Sequence, residues 1–597
     1  MLYHIFLILS ALFFAALLEL GRCTLAGWLA AAGAFCAYIV LHRAFFSQAR
    51  FLPRLGGALI FLLVLAGVFR LFQPPIRPVP AVEGKSPEKT GVVTVAEGQL
   101  RGVYNGNRSV EVYAGIPFAA PPVGELRWKP PEDPLPWEGV RNCDHFAPMA
   151  MQSRTNTVFD SLTHIAVYHD FKISLKDNWL PDMSEDCLYL NVWKPAGEIK
   201  NAPVLVFIHG GSLSTGQSWY GDYNGEALAR QGIVAVTIAY RLNVFGYFAD
   251  EELLARDGTT GNYGLLDQIR ALRWVRENIA AFGGDPEQIT LAGESAGASS
   301  VNALCVSPLT EGMFRRVIAE SSGITPRQPY HTFRPLEKAL ETGRAIRQEF
   351  GAASVEELLA LDAETLIKTA HANNSMTVDG YAITEQPWLT YERGANHEEA
   401  LLNGFNAHEA TFFTLTDKVT SENYVEKLSH VLGKNAAAAA ELYPPEPVEN
   451  AYHYIVEAGG DAKGAYDQVL SAVWFTYSHH DWSRYIAGQG RDVYEYYFTK
   501  DNGGLGSNHS GEMMYAYGNV PQSRLYTAED HALSDTMLQY WANFIRNGDP
   551  NGPGLPAWQK YNDAPGTVLE LGDAIAMRED PHRKLYELID DYQRSLP

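Results

Sequence analysis

A chain of 597 residues with a formal net charge of −22 is long enough to bury a large core, and its acidity excludes a phosphate backbone as partner. Its composition, 46% hydrophobic and 12% aromatic, suits a globular enzyme with a soluble acidic surface. The five cysteines exclude a disulfide framework. Cys23 and Cys36 lie in apolar N-terminal segments, so Cys143, Cys187 and Cys305 allow at most one bridge, and no C-x-x-C or Cys/His cluster points to a metal.

The first elements in the chain are three apolar runs, Leu2 to Leu18, Leu25 to Leu41 and Leu55 to Phe72. Each is close to the minimum length for a membrane-spanning helix. The first lacks the basic start and small-residue cleavage site of a signal peptide, and two more runs follow it. Arg22 and Phe35 precede the two cysteines where a lipid-attachment site would have a small residue. Arg43, Arg50 and Arg54 crowd the second loop, whereas the first holds only Glu19 and Arg22. The positive-inside rule then puts the N-terminus and second loop in the cytoplasm and everything after Phe72 outside it. Residues 1–80 contain six Arg and one Glu, a net of +5, and the remainder carries −27. We therefore expect a membrane region over 1–75 that anchors the chain. A Pro-rich linker is expected over 76–90, within "QPPIRPVPAVEGKSPEKT", and a globular domain over 91–597.

In the globular part, "APVLVFIHG" (202–210) and "GIVAVTIAYR" (232–241) are short, continuous apolar runs, as in parallel strands buried on both faces. Leu265, Ile269, Leu272, Val275 and Ile279 step by three or four along one helix face. "QITLAG" then reads as a strand, followed by Ser295 and a small-residue helical stretch. The pattern predicts an α/β fold with a mostly parallel central sheet flanked by helices.

"LAGESAGASS" (291–300) holds one G-x-S-x-G, centred on Ser295. The motif arises by chance roughly 0.2 times in a chain of this length, and a plain tight turn would also satisfy it. Its position between strand and helix is what a nucleophile elbow requires. There Gly293 and Gly297 relieve backbone crowding, and the helix N-terminus faces a developing oxyanion. "VFIHGGSLSTG" (206–216) follows an earlier strand and offers Gly210 and Gly211 as a turn whose N–H groups can face a ligand. A serine also needs a base and an orienting acid. Pattern alone does not choose the base among 17 histidines.

Five segments carry a resemblance. "FGGDPEQITLAGESAG" (282–297) and "EDCLYLNVWKP" (185–195) look like the two signatures of the type-B carboxylesterase/cholinesterase family. "GIPFAAPPVGELRW" (115–128), "TGNYGLLDQIRALRWVRENIAAFGGDP" (260–286) and "YWANFIRNGDPNGPGLPAW" (540–558) resemble further family segments. The resemblance covers roughly residues 90 to 590 and implies the α/β-hydrolase fold. "GFNAHEATFF" (404–413) matches the family's acid stretch and implies Glu409 as the acid, with Ala410 at a usual glycine. "GSNHSGE" (506–512) matches the base stretch and implies His509, supported by Glu512; Glu294 and Gly210 are further supporting positions. Ser295, Glu409 and His509 follow one another at intervals of 114 and 100 residues, in the order nucleophile, acid, base. The oxyanion N–H groups implied are those of Gly211, Ser212 and Ala296.

The chain departs from the family at Ser212, where a third glycine is usual. Cys187 matches the second cysteine of a family loop whose first would fall near Ala150; Cys143 lies seven residues early, leaving a shifted bridge or an untethered loop. Residues 150–187 look longer than usual, as a mobile lid would, and Trp179 is two residues out of register with a choline-binding tryptophan. "NHS" at 508–510 is a glycosylation sequon touching His509, where a glycan would obstruct the site; this favours a bacterial periplasm.

The expectation is a membrane-anchored serine carboxylesterase whose catalytic domain lies on the outer, periplasmic side of a bacterial inner membrane. It would act on a small-molecule ester, with no metal, cofactor or nucleic acid. A membrane-associated lipase and a noncatalytic binding module are the alternatives; relatives of the latter kind typically lack a triad member, and this chain retains all three. The sequence carries no signal for oligomeric state.

Overall fold

The computed structural model describes residues 2–84, 86–154, 158, 161–162, 179–446, 458–501, 506–564 and 566–596. The chain forms two compact units, residues 1–78 with 154–182, and residues 79–153 with 183–597. Most of the stretch expected to form a lid, residues 155–157, 159–160 and 163–178, lies outside the described residues.

The first unit contains helices α1 (Leu2–Leu20), α2 (Leu25–Leu41) and α3 (Phe51–Leu71). All three belong to spans long and apolar enough to cross a membrane, α2 being extended to Phe46 by a π-helical turn. Helix α3 starts four residues before the expected Leu55. Pro53 falls in its first turn, where a missing N–H breaks no intrahelical bond. Phe14, Leu18, Phe61 and Leu65 are buried along the seam, and Tyr38 stacks on Phe61 at 4.3 Å. Leu12, Phe13, Leu29 and Leu63 are exposed, an outward apolar surface that suits hydrocarbon. In the stretch read as a linker, Ile76–Arg77 pairs with Leu180–Pro181, and Val79–Pro80 pairs with His145–Phe146.

The second unit is built on a sheet of thirteen strands. In chain order they are β1 (Lys89–Val95), β2 (Gly98–Tyr104), β3 (Val110–Pro117), β4 (Val140–Asn142), β5 (Tyr189–Pro195), β6 (Ala202–Ile208), β7 (Val234–Ile238), β8 (Gly284–Glu294), β9 (Arg316–Glu320), β10 (Ala400–Asn406), β11 (Asp492–Phe498), β12 (Thr567–Leu571) and β13 (Ile575–Glu579). The spatial order is β13-β12-β11-β10-β9-β8-β6-β7-β5-β3-β2-β1, with β4 beside β2. From β7 through β12 the neighbours are parallel, and both flanks are antiparallel apart from the short β4, which runs parallel to β2. The two runs read as buried strands are β6 and β7, and every residue of β7 is buried.

The chain leaves β6 for β7 on one side and returns to β8 on the other. That reversal is a topological switch point, and the crevice beyond the carboxyl ends of such strands is where ligands bind in parallel sheets. Helix α4 (Tyr263–Asn278) covers the sheet, and α5 (Ala296–Val306) follows β8 directly.

Candidate active site

Ser295 stands between the last residue of β8 and the first of α5. Its backbone has φ +55° and ψ −127°, a conformation an L-residue adopts only at a cost of order 1–3 kcal/mol. Two observations show why the turn needs its glycines. A Cβ on Gly293 would meet the backbone of Gly297 at 2.5 Å, and one on Gly297 would collide with the carbonyl of Ile208 on β6. The turn is tied down from β9, whose Glu320 carbonyl accepts the Ser295 N–H at 2.8 Å. Glu294 and Ala296 are buried, whereas Ser295 is partly exposed.

The loop after β6 runs past this turn. A Cβ on Gly210 would come within 3.0 Å of the Ser295 Cβ, so only glycine lets the loop approach so closely. Gly211 has φ +102°, and Ser212 and Leu213 have φ +54° and +55°. The Gly211 carbonyl closes the loop by accepting from Ser214 and Thr215 at 3.0 Å each. Among the described residues, the N–H groups of Gly211 and Ser212 donate to no protein acceptor. The Ala296 N–H, at the first position of α5, has no intrahelical partner. These are the three donors named from sequence.

Glu409 lies three residues beyond β10 and His509 eleven residues beyond β11, so neighbouring parallel strands deliver both at their carboxyl ends. His509 Nδ1 donates to Glu409 Oε2 at 2.5 Å, and Glu409 Oε1 accepts from the Asn406 N–H at 2.7 Å. Glu409 is fully buried. His509 Nε2 hydrogen-bonds to no described residue, so the structure closes no bond between Ser295 and His509. Such bonds are often long in unliganded enzymes and tighten around substrate. The Glu294 Oε1 atom stands 3.3 Å from Nε2 and accepts from Ser510 Oγ at 2.5 Å.

Burial lowers the proton affinity of His509, but the charges of Glu294 and then Glu409 outweigh it and push its pKa up to about 9. Burial likewise raises Glu512 to about 8, with the charges of Glu409 and Glu294 adding to it. Glu512 accepts from Asn406 Nδ2 at 2.5 Å and from Ser321 Oγ and Tyr496 OH at 3.2 Å. It therefore braces the Asn406 end of the strand that carries Glu409. Glu320, at the end of β9, accepts from Tyr517 OH and Trp541 Nε1. Sequence reasoning did not single out Glu320 or Ser321; their signal is their place, one strand over from the elbow.

Cys143 and Cys187 are both free and buried. Asn508 of the sequon is buried, with its side-chain amide donating to the His509 carbonyl at 3.2 Å, so the folded chain has no room for a glycan there.

Residues 89–588 match the model of the carboxylesterase family. The chain is 32% identical over 537 residues to the fatty acyl-CoA hydrolase precursor, medium chain, of Anas platyrhynchos, covering 85% of this chain and 91% of that one. It is 31% identical over 537 residues to human carboxylesterase 3, covering 84% and 90%. Among solved structures, the carboxylesterase EST55 of Geobacillus stearothermophilus superposes with a TM-score of 0.70 at 32% identity, over 84% of this chain and 100% of that one. A pNB esterase gives 0.68 at 29% identity, over 83% and 99%. With family, fold and ordered site converging, the chain belongs to the carboxylesterase family and is a carboxylic ester hydrolase.

Proposed function

We propose that this hydrolase works by a Ser295–Glu409–His509 triad through an acyl-enzyme, held at a membrane by α1–α3 with its catalytic domain outside the cytoplasm. His509 takes the proton of Ser295 as the hydroxyl attacks the ester carbonyl. The N–H groups of Gly211, Ser212 and Ala296 hold the oxyanion. His509 returns the proton to the departing alcohol, and water then frees the acyl group by the same route. Glu409 orients the imidazole and stabilises its charge. The observation that carries the reading is the 2.5 Å bond between residues 100 apart in sequence, delivered beside a strained serine at the switch point. The anchoring and outward orientation rest on the three apolar helices and on Arg43, Arg50 and Arg54, which cluster where the second ends and the third begins.

The test is hydrolysis of p-nitrophenyl esters from C2 to C16 by the full-length chain in detergent, beside Ser295→Ala. Turnover should fall on the order of 10,000-fold in the variant; turnover retained would overturn the triad. A lipase is the second reading, favoured by Phe412 and Phe413, which are 39% and 43% exposed next to Glu409. A preference for C12 to C16 esters would select it.

A further inference from the structure

His331 lies outside every motif named above, yet it shares an aromatic wall with His509. Its ring stacks on Phe475 at 5.2 Å between centroids, and Phe475 packs on the His509 ring at 4.7 Å. Phe413 completes the wall, stacked on Phe475 at 5.6 Å and edge-on to His509 at 5.2 Å. The wall is built by an irregularity. Phe475 sits in a π-helical turn, Ala472–Thr476, inserted before helix α6 (Tyr477–Gly488), and such turns concentrate at functional sites.

Two further observations concern His331 itself. Its Nε2 atom is out of solvent and has no hydrogen-bond partner among the described residues. A buried polar atom left unpaired costs about 1–3 kcal/mol, so its retention calls for a partner. The adjoining residue, Thr332, is β-branched yet has φ +61°. That outlier is held from both sides: the Thr332 carbonyl accepts from Met376 N–H at 2.7 Å, and Thr332 Oγ1 donates to the His331 carbonyl at 2.6 Å. Strain of this kind persists where the surroundings fix a side chain for a purpose. Burial, and then the nearby His509, push the His331 pKa down to about 4, so the imidazole is neutral near pH 7.

We propose that His331 is a substrate-binding residue that selects hydroxy-esters: its Nε2 hydrogen-bonds a hydroxyl on the ester arm lying against Phe413 and Phe475. A hydroxyl both donates and accepts, so it pairs with Nε2 in either tautomer of a neutral imidazole. An isostere with methyl in place of hydroxyl leaves the nitrogen unpaired and is rejected, which is how a site built to hydrogen-bond a hydroxyl discriminates. The inference rests on the Ser295–His509 reading of the site.

The experiment uses the full-length chain in detergent and two isosteric pairs. For the acyl arm, p-nitrophenyl 3-hydroxybutyrate is compared with p-nitrophenyl 3-methylbutyrate. For the alcohol arm, 2-hydroxyethyl butyrate is compared with propyl butyrate, followed by pH-stat. The parent should prefer the hydroxylated member of one pair by about tenfold or more in kcat/KM. His331→Phe, which keeps the stacking, should bring that ratio close to one while changing the methyl member less than about threefold. His331→Gln, which keeps a hydrogen-bonding group, should retain a preference; His331→Leu serves if the Phe variant fails to fold. A parent ratio near one in both pairs overturns the proposal, as does an equal loss on both members in the variants, which would mark a packing role. Ser295→Ala run alongside separates the two failures: turnover surviving in it would overturn the site reading, and this inference with it.

Discussion

Glu294, Glu409 and Glu512 all strengthen the hold of His509 on its proton, and the group reaches a pKa of about 9. A general base must be neutral to act, so kcat/KM should climb with pH through about 9. Glu294→Gln removes the charge 3.3 Å from Nε2. It should move the ascending limb at least about one pH unit towards acid; a pH–rate profile that does not move would refute this role for Glu294. The linkage has a definite sign. A raised histidine pKa contributes stability in full below the ordinary value of 6.5, and the contribution fades as pH rises through about 9. The glycines of the elbow make a second residue-scale prediction. Gly297→Ala should cost about 2–3 kcal/mol, because its Cβ has nowhere to go except into the β6 backbone. Thermal melting should show a fall of roughly 2–3 °C, and an unchanged Tm would contradict the close approach.

At the scale of elements, the strands and the elbow were legible because their signals are local. The apolar runs of β6 and β7 and the glycines around Ser295 declare a parallel sheet and a sharp turn without reference to the rest of the chain. Glu409 and His509 were legible only by resemblance, since a carboxylate and a histidine in loops announce no partner until β10 and β11 lie side by side. His331 carried no sequence signal; its place depends on a π turn and on pairing between Phe333–Arg334 and Met376–Thr377, both set by tertiary packing. Helix α4 shows the same limit. Its period predicts one apolar face, yet Asp267 and Gln268 are buried too. Asp267 is paired by Arg241, beyond β7, which donates to it through its backbone N–H at 3.0 Å and its guanidinium at 2.8 and 2.7 Å, and Gln268 donates to Ser300 Oγ at 3.2 Å. Arg241→Met would strand a carboxylate with no exposure, at a cost of about 3–5 kcal/mol. Urea unfolding should register that loss; a change under about 1 kcal/mol would show the pair is dispensable.

Over the whole molecule, the charge is divided between a net +5 in the first 80 residues and −27 in the rest. The proposed anchoring and orientation predict a chain that stays with membranes through alkaline carbonate, and a domain digested by protease added to unlysed spheroplasts. Digestion only after lysis would reverse the orientation. Among its described residues the hydrolase unit has no covalent staple: Cys143, Cys187 and Cys305 are free, and burial pushes the Cys143 thiol up to about 12. Reductant should therefore leave Tm and activity unchanged, and a drop in Tm on adding dithiothreitol would reveal a bridge. What most directly tests the central claim, that Ser295 is the nucleophile of an ester hydrolase, is labelling of the full-length chain with a fluorophosphonate, followed by peptide mass spectrometry. The account predicts one stoichiometric adduct on the peptide holding Ser295, loss of esterase turnover in step with labelling, and no adduct in Ser295→Ala. An adduct on another residue, or turnover that survives complete labelling of Ser295, would contradict it.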